Sequence, residues 1–380
     1  MADVIRTFSE DHSRIRVALM RGEEELSRTY IIPMTIRIGL AEVRMDGIGG
    51  VATPEEHRNR GYSRRVLESA VNQMTAGDAP LSTLYGIPHF YSKYGFATLG
   101  PEYTIAPVSL DERNELPVGY TDRDGEPGDL SALRRLYRDE TACAVGPVVR
   151  DGSWWVWQKL EQDLAHGAGE VRVLERDGRV VGYAWRASFS WWMQHLAEDR
   201  PPALRIGEAF AVDVDAAEAV LAMGRRWARA LDLPVLTLAI PPDSTVGRVA
   251  QLQNCRVTAL YSDDAEFMGR VTGLRALMRA MLPELELRWQ TAGLAPFTAT
   301  IATGGERVTL SGDENGLAID AGLPGEFEVA LDPGTLARLA LGGFDPELVL
   351  ARQNLPAAMI RLLGALFPKR TPYIYPADRF

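Results

Sequence analysis

Residues 51–75 read VATPEEHRNRGYSRRVLESAVNQMT, and the order of events within them decides the fold. Val51-Ala52-Thr53 is an extended run stopped by Pro54. The stretch His57–Arg65 then gathers four arginines and a histidine. From Gly61 onward, Val66, Leu67, Ala70, Val71 and Met74 recur at helical spacing, so an amphipathic helix follows. A strand that feeds a glycine turn and a helix start makes an anion site. The first amides of the helix lack internal partners, and its dipole adds partial positive charge. Arg58, Asn59, Arg60, Gly61, Tyr62 and Ser63 occupy that start, and Gly61 lets the backbone approach a phosphate closely. Taken alone, the run also fits a solvated basic helix end.

Working outward, Gly47–Ala52 (GIGGVA) spells G-x-G-x-x-A. A dinucleotide site needs a helix that opens within the glycines. Here an extended run follows them and the helix begins only near Gly61, so the spelling carries no Rossmann site. Upstream, RIRVALMRGEEELSRTYIIPMTIRIG predicts two strands around a turn at Arg21–Glu25, and EVRMDGIGGVAT predicts a third. Downstream, LSTLYG is a strand candidate, PHFYSKYGF a brief helix ending at Gly95, and ATLGPEYTIAPV a closing strand. A Gly/Pro/Asp-rich linker follows. The middle third predicts helices at LSALRRLYRDETAC and WWVWQKLEQDL. It then predicts a hairpin turning at Asp177-Gly178, an extended RIGEAFAVD, a helix, and the strand PVLTLAI. That order repeats the first third, as an internal duplication would. After Val271 short strands and helices alternate in an α+β layout.

At 380 residues, two or three domains are expected, and 46% hydrophobic with 24% charged residues is ordinary for a globular chain. The net charge of −10 argues against nonspecific nucleic-acid binding. No long apolar run or leader-like segment is present, so no membrane partner is expected and the expected compartment is the cytoplasm. Two distant cysteines, Cys143 and Cys255, and five histidines without ligand spacing (His12, His57, His89, His166, His195) predict no metal.

Two motifs then carry a resemblance. Arg58-Asn59-Arg60-Gly61-Tyr62-Ser63, an R-x-x-G-x-S run after Val-Ala-Thr, resembles the Q/R-x-x-G-x-G/A acetyl-CoA loop of the GNAT acetyltransferases. About thirty residues on, Phe90-Tyr91-Ser92-Lys93-Tyr94-Gly95-Phe96 is similar to their F-Y-x-x-x-G-F segment. With the three-part layout and a final Phe380, the chain resembles the Eis (enhanced intracellular survival) acetyltransferases. These carry tandem GNAT domains and a sterol-carrier-protein-like third domain.

The resemblance implies an α+β chain of three domains: residues 1–115 a GNAT domain with the acetyl-CoA site, residues 116–270 a degenerate second copy, and residues 271–380 the sterol-carrier-like domain. It implies that Val51, Ala52 and Thr53 pair with the pantetheine arm and that Arg58 and Asn59–Arg64 hold the pyrophosphate, with Gly86 and Ile87 as further coenzyme contacts. It makes Tyr91 the general acid for the departing thiolate, and the α-carboxylate of Phe380 the general base. Read without it, Tyr91 is as well a packing aromatic, and Tyr94 is assigned to packing. The implied acceptor is a primary amine (aminoglycoside-like, polyamine or lysine), and a homo-oligomer, a hexamer by resemblance, is implied too. Asp213, Asp215 and Glu218 would repel a pyrophosphate from the second copy, and the five tryptophans Trp154, Trp155, Trp157, Trp191 and Trp192 fit a core. The front end is shorter than a GNAT domain's, which normally sets two helices before the hairpin. Arg379 beside Phe380 would oppose a polycationic acceptor unless it points away. The alternative is a non-catalytic scaffold that binds a coenzyme, an apolar ligand or a protein.

Overall fold

The computed structural model describes residues 2–11, 14–152, 154–167, 169–187, 202–320 and 325–380. The chain forms two compact units. One comprises Met1–Pro101, Tyr261–Pro372 and Phe380; the other comprises Glu102–Leu260 and Tyr373–Arg379.

The first unit is built on strands β1 (Val4–Asp11), β2 (Arg14–Arg21), β3 (Glu24–Ile38), β4 (Ala41–Ala52), β5 (Leu81–Gly86) and β6 (Ala97–Thr98), with helix α1 (Tyr62–Ala76) between β4 and β5. The strand Glu266–Val271 lies between β5 and β6 and is antiparallel to both. Sheet order follows directly from connection length. The hairpins β1-β2-β3-β4 run antiparallel through short turns, whereas β5, reached through a helix, is parallel to β4. Val66, Leu67, Ala70, Val71 and Met74, the five positions expected to face inward, are buried against Val17, Leu19, Leu26, Ile31 and Ile48. Among the described residues no helix precedes the β2-β3 hairpin: the chain enters through β1.

The opposite face of β4 packs on the helix Leu274–Ala292, which runs through Pro283. Glu284 in that helix accepts the Leu40 amide at 2.8 Å and pairs with Arg288 at 2.7 Å. The rest of the unit is a small sheet (Phe297–Thr303, Glu306–Asp313, Gly316–Asp320, Phe327–Ala330) with the helices Pro333–Leu341, Pro346–Leu350 and Ala357–Leu366. The layout is α+β, as expected.

In β4, Gly50 and Val51 together oppose the single residue Thr29, because Tyr30 pairs with Gly49 and Arg28 with Ala52. This is a β-bulge whose first residue, Gly50, has φ +57°. A side chain there would be strained by about 1–2 kcal/mol from the left-handed backbone alone. It would also crowd the Tyr30 ring, 2.7 Å from an added Cβ. Gly50→Ala is therefore expected to lower stability by about 2 kcal/mol, read as a lower urea midpoint with an unchanged slope.

In the second unit the hairpin Val171–Arg176/Arg179–Trp185 turns at Asp177 (φ 53°) and Gly178 (φ 69°), two left-handed residues as expected of this tight turn. The strand Glu208–Ala211 joins that hairpin. Just before it, across Gly207, Ala203–Ile206 pairs in parallel with Val235–Leu238 in another sheet. The helix Val214–Ala230 connects them. Hairpin, interrupted strand, helix and parallel strand thus follow one another in this unit. The strand Glu102–Pro107, expected to close the first segment, pairs instead with Val235–Leu238 and Cys255–Leu260 of this unit.

No helix among the described residues is long and apolar enough to cross a membrane. No cluster of three or more His, Cys, Asp or Glu able to hold a metal occurs among them.

Candidate active site

The site begins where β4 and β5 part. Their parallel pairing runs from Met45↔Leu81 to Ile48↔Leu84 and stops there, although β4 continues to Ala52 and β5 to Gly86. The bulge at Gly50-Val51 bends β4 just past the last pair, since an extra residue adds local twist. On the β3 side the bend is pinned. The Thr29 hydroxyl donates to the Gly49 carbonyl (3.1 Å), and the Ser27 hydroxyl donates to the Ala52 carbonyl (3.2 Å) and meets the Thr53 hydroxyl at 2.9 Å. Val51, Ala52 and Thr53, all half-buried, border the gap.

The chain then turns through Asn59 (φ 62°) and Gly61 (φ 74°) into α1. No side chain caps this helix, and its first turn holds no acidic residue. Its first bond is the Arg65 amide to the Gly61 carbonyl at 3.3 Å. A Cβ on Gly61 would meet nothing within 4 Å. The amides of Tyr62, Ser63 and Arg64 precede that first bond and so have no intrahelical partner, and the space beside Gly61 is open, which together fit a phosphate group. Arg58, Arg60 and Arg64 are exposed around it, and Arg58 donates to the Thr53 carbonyl at 3.4 Å. Arg65 is turned to Asp3 instead (3.5 Å), and the Tyr62 hydroxyl accepts from Arg21 at 2.9 Å. His57 is buried with Nε2 3.0 Å from Glu24.

Beyond β5, Ile87 is 63% exposed, while Gly86 is buried, and a Cβ on it would sit 2.7 Å from the Tyr91 ring. The chain then forms one 3-10 turn, Ser92–Tyr94, closed by left-handed Gly95. Tyr91 is 7% exposed, edge-on to Phe90 at 4.9 Å. Burial, with a smaller contribution from Tyr94, pushes its phenol up to about 12, so it stays protonated through the neutral range. Tyr94 is buried in the same cluster, as the packing assignment requires.

Phe380 lies on β4. A Cβ on Gly47 would overlap its ring, and one on Gly49 would be 3.3 Å from its backbone carbonyl carbon. Paired residues of parallel strands share a face. Gly86 therefore faces the α1 side with Leu84 and Ile48, and Gly47 and Gly49 face the other side. The structure thus sets Tyr91 and Phe380 at the same parting strands, on opposite faces. Arg379 points away: its guanidinium is buried and donates to Glu102 (2.7 Å) and the Ile374 carbonyl (3.1 Å).

The helix Val214–Ala230 of the second unit starts differently: Asp213 accepts the Ala216 amide at 2.8 Å and pairs with Arg176 at 2.8 Å, so a carboxylate caps this helix start. Trp154 and Trp157 are buried and Trp155 is 38% exposed; Trp191, Trp192, His12 and His195 lie outside the described residues. What the sequence did not reveal is the bulge and its supports Ser27 and Thr29. The only trace was the glycine pair Gly49-Gly50 inside a strand.

Residues 6–99 match the family model described as the acetyltransferase (GNAT) domain. No curated protein matches the chain. Among solved structures, the GCN5-related N-acetyltransferase from Kribbella flavida is similar at 19% identity and TM-score 0.69, over 96% of this chain and 87% of that one. A probable N-acyltransferase from Enterococcus faecalis matches at 15% identity and TM-score 0.72 over the whole of both chains. Eis1 from Mycobacterium abscessus matches at 15% and 0.62, over 97% of this chain and 91% of its own. These likenesses show the fold. The domain match shows the activity class: the chain carries a GNAT acetyltransferase domain, and such domains use acetyl-CoA.

Proposed function

We propose that the protein is an Eis-like N-acetyltransferase of the cytoplasm that moves the acetyl group of acetyl-CoA directly to a primary amine. The observation that carries this reading is the parting of β4 from β5 after Ile48 and Leu84, beside an uncapped helix start and a buried protonated tyrosine. The pantetheine arm would lie along Val51–Thr53, reaching Gly86 and Ile87, and the pyrophosphate on the amides of Asn59–Arg64, with Arg58 adding charge. As the amine nitrogen bonds to the carbonyl carbon, the C–S bond breaks. The Phe380 carboxylate takes a proton from the nitrogen, directly or through water, and the Tyr91 phenol gives one to the sulfur. Holding both reactants in place supplies much of the acceleration. In this reading the second unit belongs to a degenerate GNAT copy, the last hundred residues to a sterol-carrier-like domain, and the working form is a homo-oligomer. Nucleic acid, membrane and metal play no part.

The test has two stages. Acetyl-CoA should raise the melting temperature, and Arg60→Glu should weaken that binding by roughly tenfold, since an exposed charge contributes about 1 kcal/mol or less and the substitution both removes a cation and adds an anion. Coenzyme A release is then measured over a panel of primary amines. If acetyl-CoA binds yet no amine raises release above hydrolysis, transfer to an amine is ruled out.

A further inference from the structure

Within the first unit, the segment that carries Tyr91 is held by a loop far away in the chain. Gly86, the last residue of β5, pairs with Glu266, and beyond that pair both chains leave the sheet. One continues as residues 87–91; the other arrives through residues 262–265. Asp264 joins the two. Its carbonyl accepts the His89 amide at 3.1 Å, and its carboxylate oxygen Oδ2 accepts the Ser92 hydroxyl at 2.8 Å. The same oxygen lies 3.4 Å from His89 Nδ1. Residues 89 and 92 flank Phe90 and Tyr91, so one aspartate grips the segment on both sides of the proposed acid. At the far end, Arg270 donates to the Tyr94 carbonyl beside left-handed Gly95.

The backbone at this grip is strained. His89 (φ 57°) and Asp264 (φ 50°) are both left-handed without being glycine. Such conformations persist where the surroundings enforce them, and they cluster at functional sites. The three side chains are not a nucleophilic triad: hydroxyl and imidazole meet the same carboxylate oxygen, so neither activates the other. Nor do they add much stability. Ser92 is exposed, the His89 side chain is 74% exposed, and contacts of this kind contribute little. What they fix is geometry. The Tyr91 ring packs on Phe90, Phe96 and Gly86, which sets its plane. Its hydroxyl stands at the far end of the ring, where a small rotation of the backbone at residue 91 is magnified.

We propose that Asp264 is a positioning residue for Tyr91: it sets the backbone of residues 89–92 and so the place of the phenol beside the departing sulfur. Asp264 takes no proton itself. The inference rests on the general-acid role proposed for Tyr91. It gives the loop before the strand Glu266–Val271 a task in the reaction.

The test measures turnover and KM for acetyl-CoA in Asp264→Ala, Asp264→Asn and Ser92→Ala, each alone and combined with Tyr91→Phe in the full chain. Turnover is read as coenzyme A release with whichever primary amine of the panel releases it fastest. Asp264→Ala should lower turnover by about 10²-fold, the effect of misplacing a reacting group by about 1 Å, with KM unchanged. Asp264→Asn still accepts from Ser92 and should stay within a few-fold of the wild type. Ser92→Ala removes one exposed hydroxyl, leaves the core untouched and should lower turnover by about fivefold, the net worth of one hydrogen bond. In the Tyr91→Phe chain neither alanine variant should lower turnover further, because residues that act as a unit are not additive. Full turnover in Asp264→Ala, or a loss as large with Tyr91→Phe as without it, overturns the positioning role. So does an Asp264→Asn chain that loses as much as Asp264→Ala. If Asp264→Ala does not fold, Ser92→Ala decides by the same comparisons. The acid is judged separately: full turnover in Tyr91→Phe alone removes it, and with it anything for Asp264 to position.

Discussion

Tyr91→Phe is expected to lower turnover by about 10²- to 10⁴-fold, the range for loss of a general acid, while acetyl-CoA binding stays within a factor of a few. The change deletes one oxygen from a ring packed against Phe90, Phe96 and Gly86, so the cluster keeps its shape. The pH profile separates an acid from a packing residue. With its phenol pushed up to about 12, Tyr91 holds its proton far above neutrality, so the wild type should show no loss of rate from this group until pH nears 12. The sign also sets a stability term. Burial favours the neutral phenol in the folded state, so that contribution is complete below the unfolded value of 10.0 and is lost as pH rises from there towards about 12. A Tyr91→Phe enzyme with unaltered turnover across an amine panel would leave the phenol no role beyond packing.

The second large effect is expected from Gly47→Val. A side chain at this position would overlap the Phe380 ring, so the last residue must move. Valine suits the strand itself, and the Gly47↔Thr83 pairing with β5 survives. Overpacking should cost about 1–3 kcal/mol of stability. Turnover should fall by about 10²-fold if the carboxylate shifts by about 1 Å, with little change in KM for acetyl-CoA. Combining the change with Phe380→Ala gives the check. Alanine keeps the α-carboxylate and removes the clashing ring, so stability should recover; a double variant no more stable than Gly47→Val would show the strain to lie elsewhere.

Much of this was legible in the sequence because the dominant patterns are local. The helical spacing of Val66, Leu67, Ala70, Val71 and Met74 fixed both the helix and its buried face. The Asp177-Gly178 dipeptide, with both residues left-handed, fixed a hairpin, and Gly61 fixed the turn into α1. What could not be read depends on partners far away in the chain. Nothing in GIGGVA states that Thr29 will face two residues at once, or that β5 will leave β4 after Leu84. Nor does the spelling of Arg150 reveal a carboxylate 228 residues later. The strand Glu102–Pro107, read as closing the first segment, joins a sheet of the second unit for the same reason: an alternating strand declares its face but not its sheet.

The strand Glu266–Val271 has a consequence for synthesis. It supplies the second neighbour of β5 and, among the described residues, the only neighbour of β6, yet it follows Gly86 by 180 residues, from Gly86 to Glu266. At about 5–20 residues per second, the growing chain carries β5 with a bare hydrogen-bonding edge for roughly 10–40 s. Such an edge is a template for unwanted pairing. A fragment that stops near residue 101 would never close it, so the segment recognisable as a domain by its sequence is not one that should fold alone. Soluble expression is expected only when the chain extends past Val271.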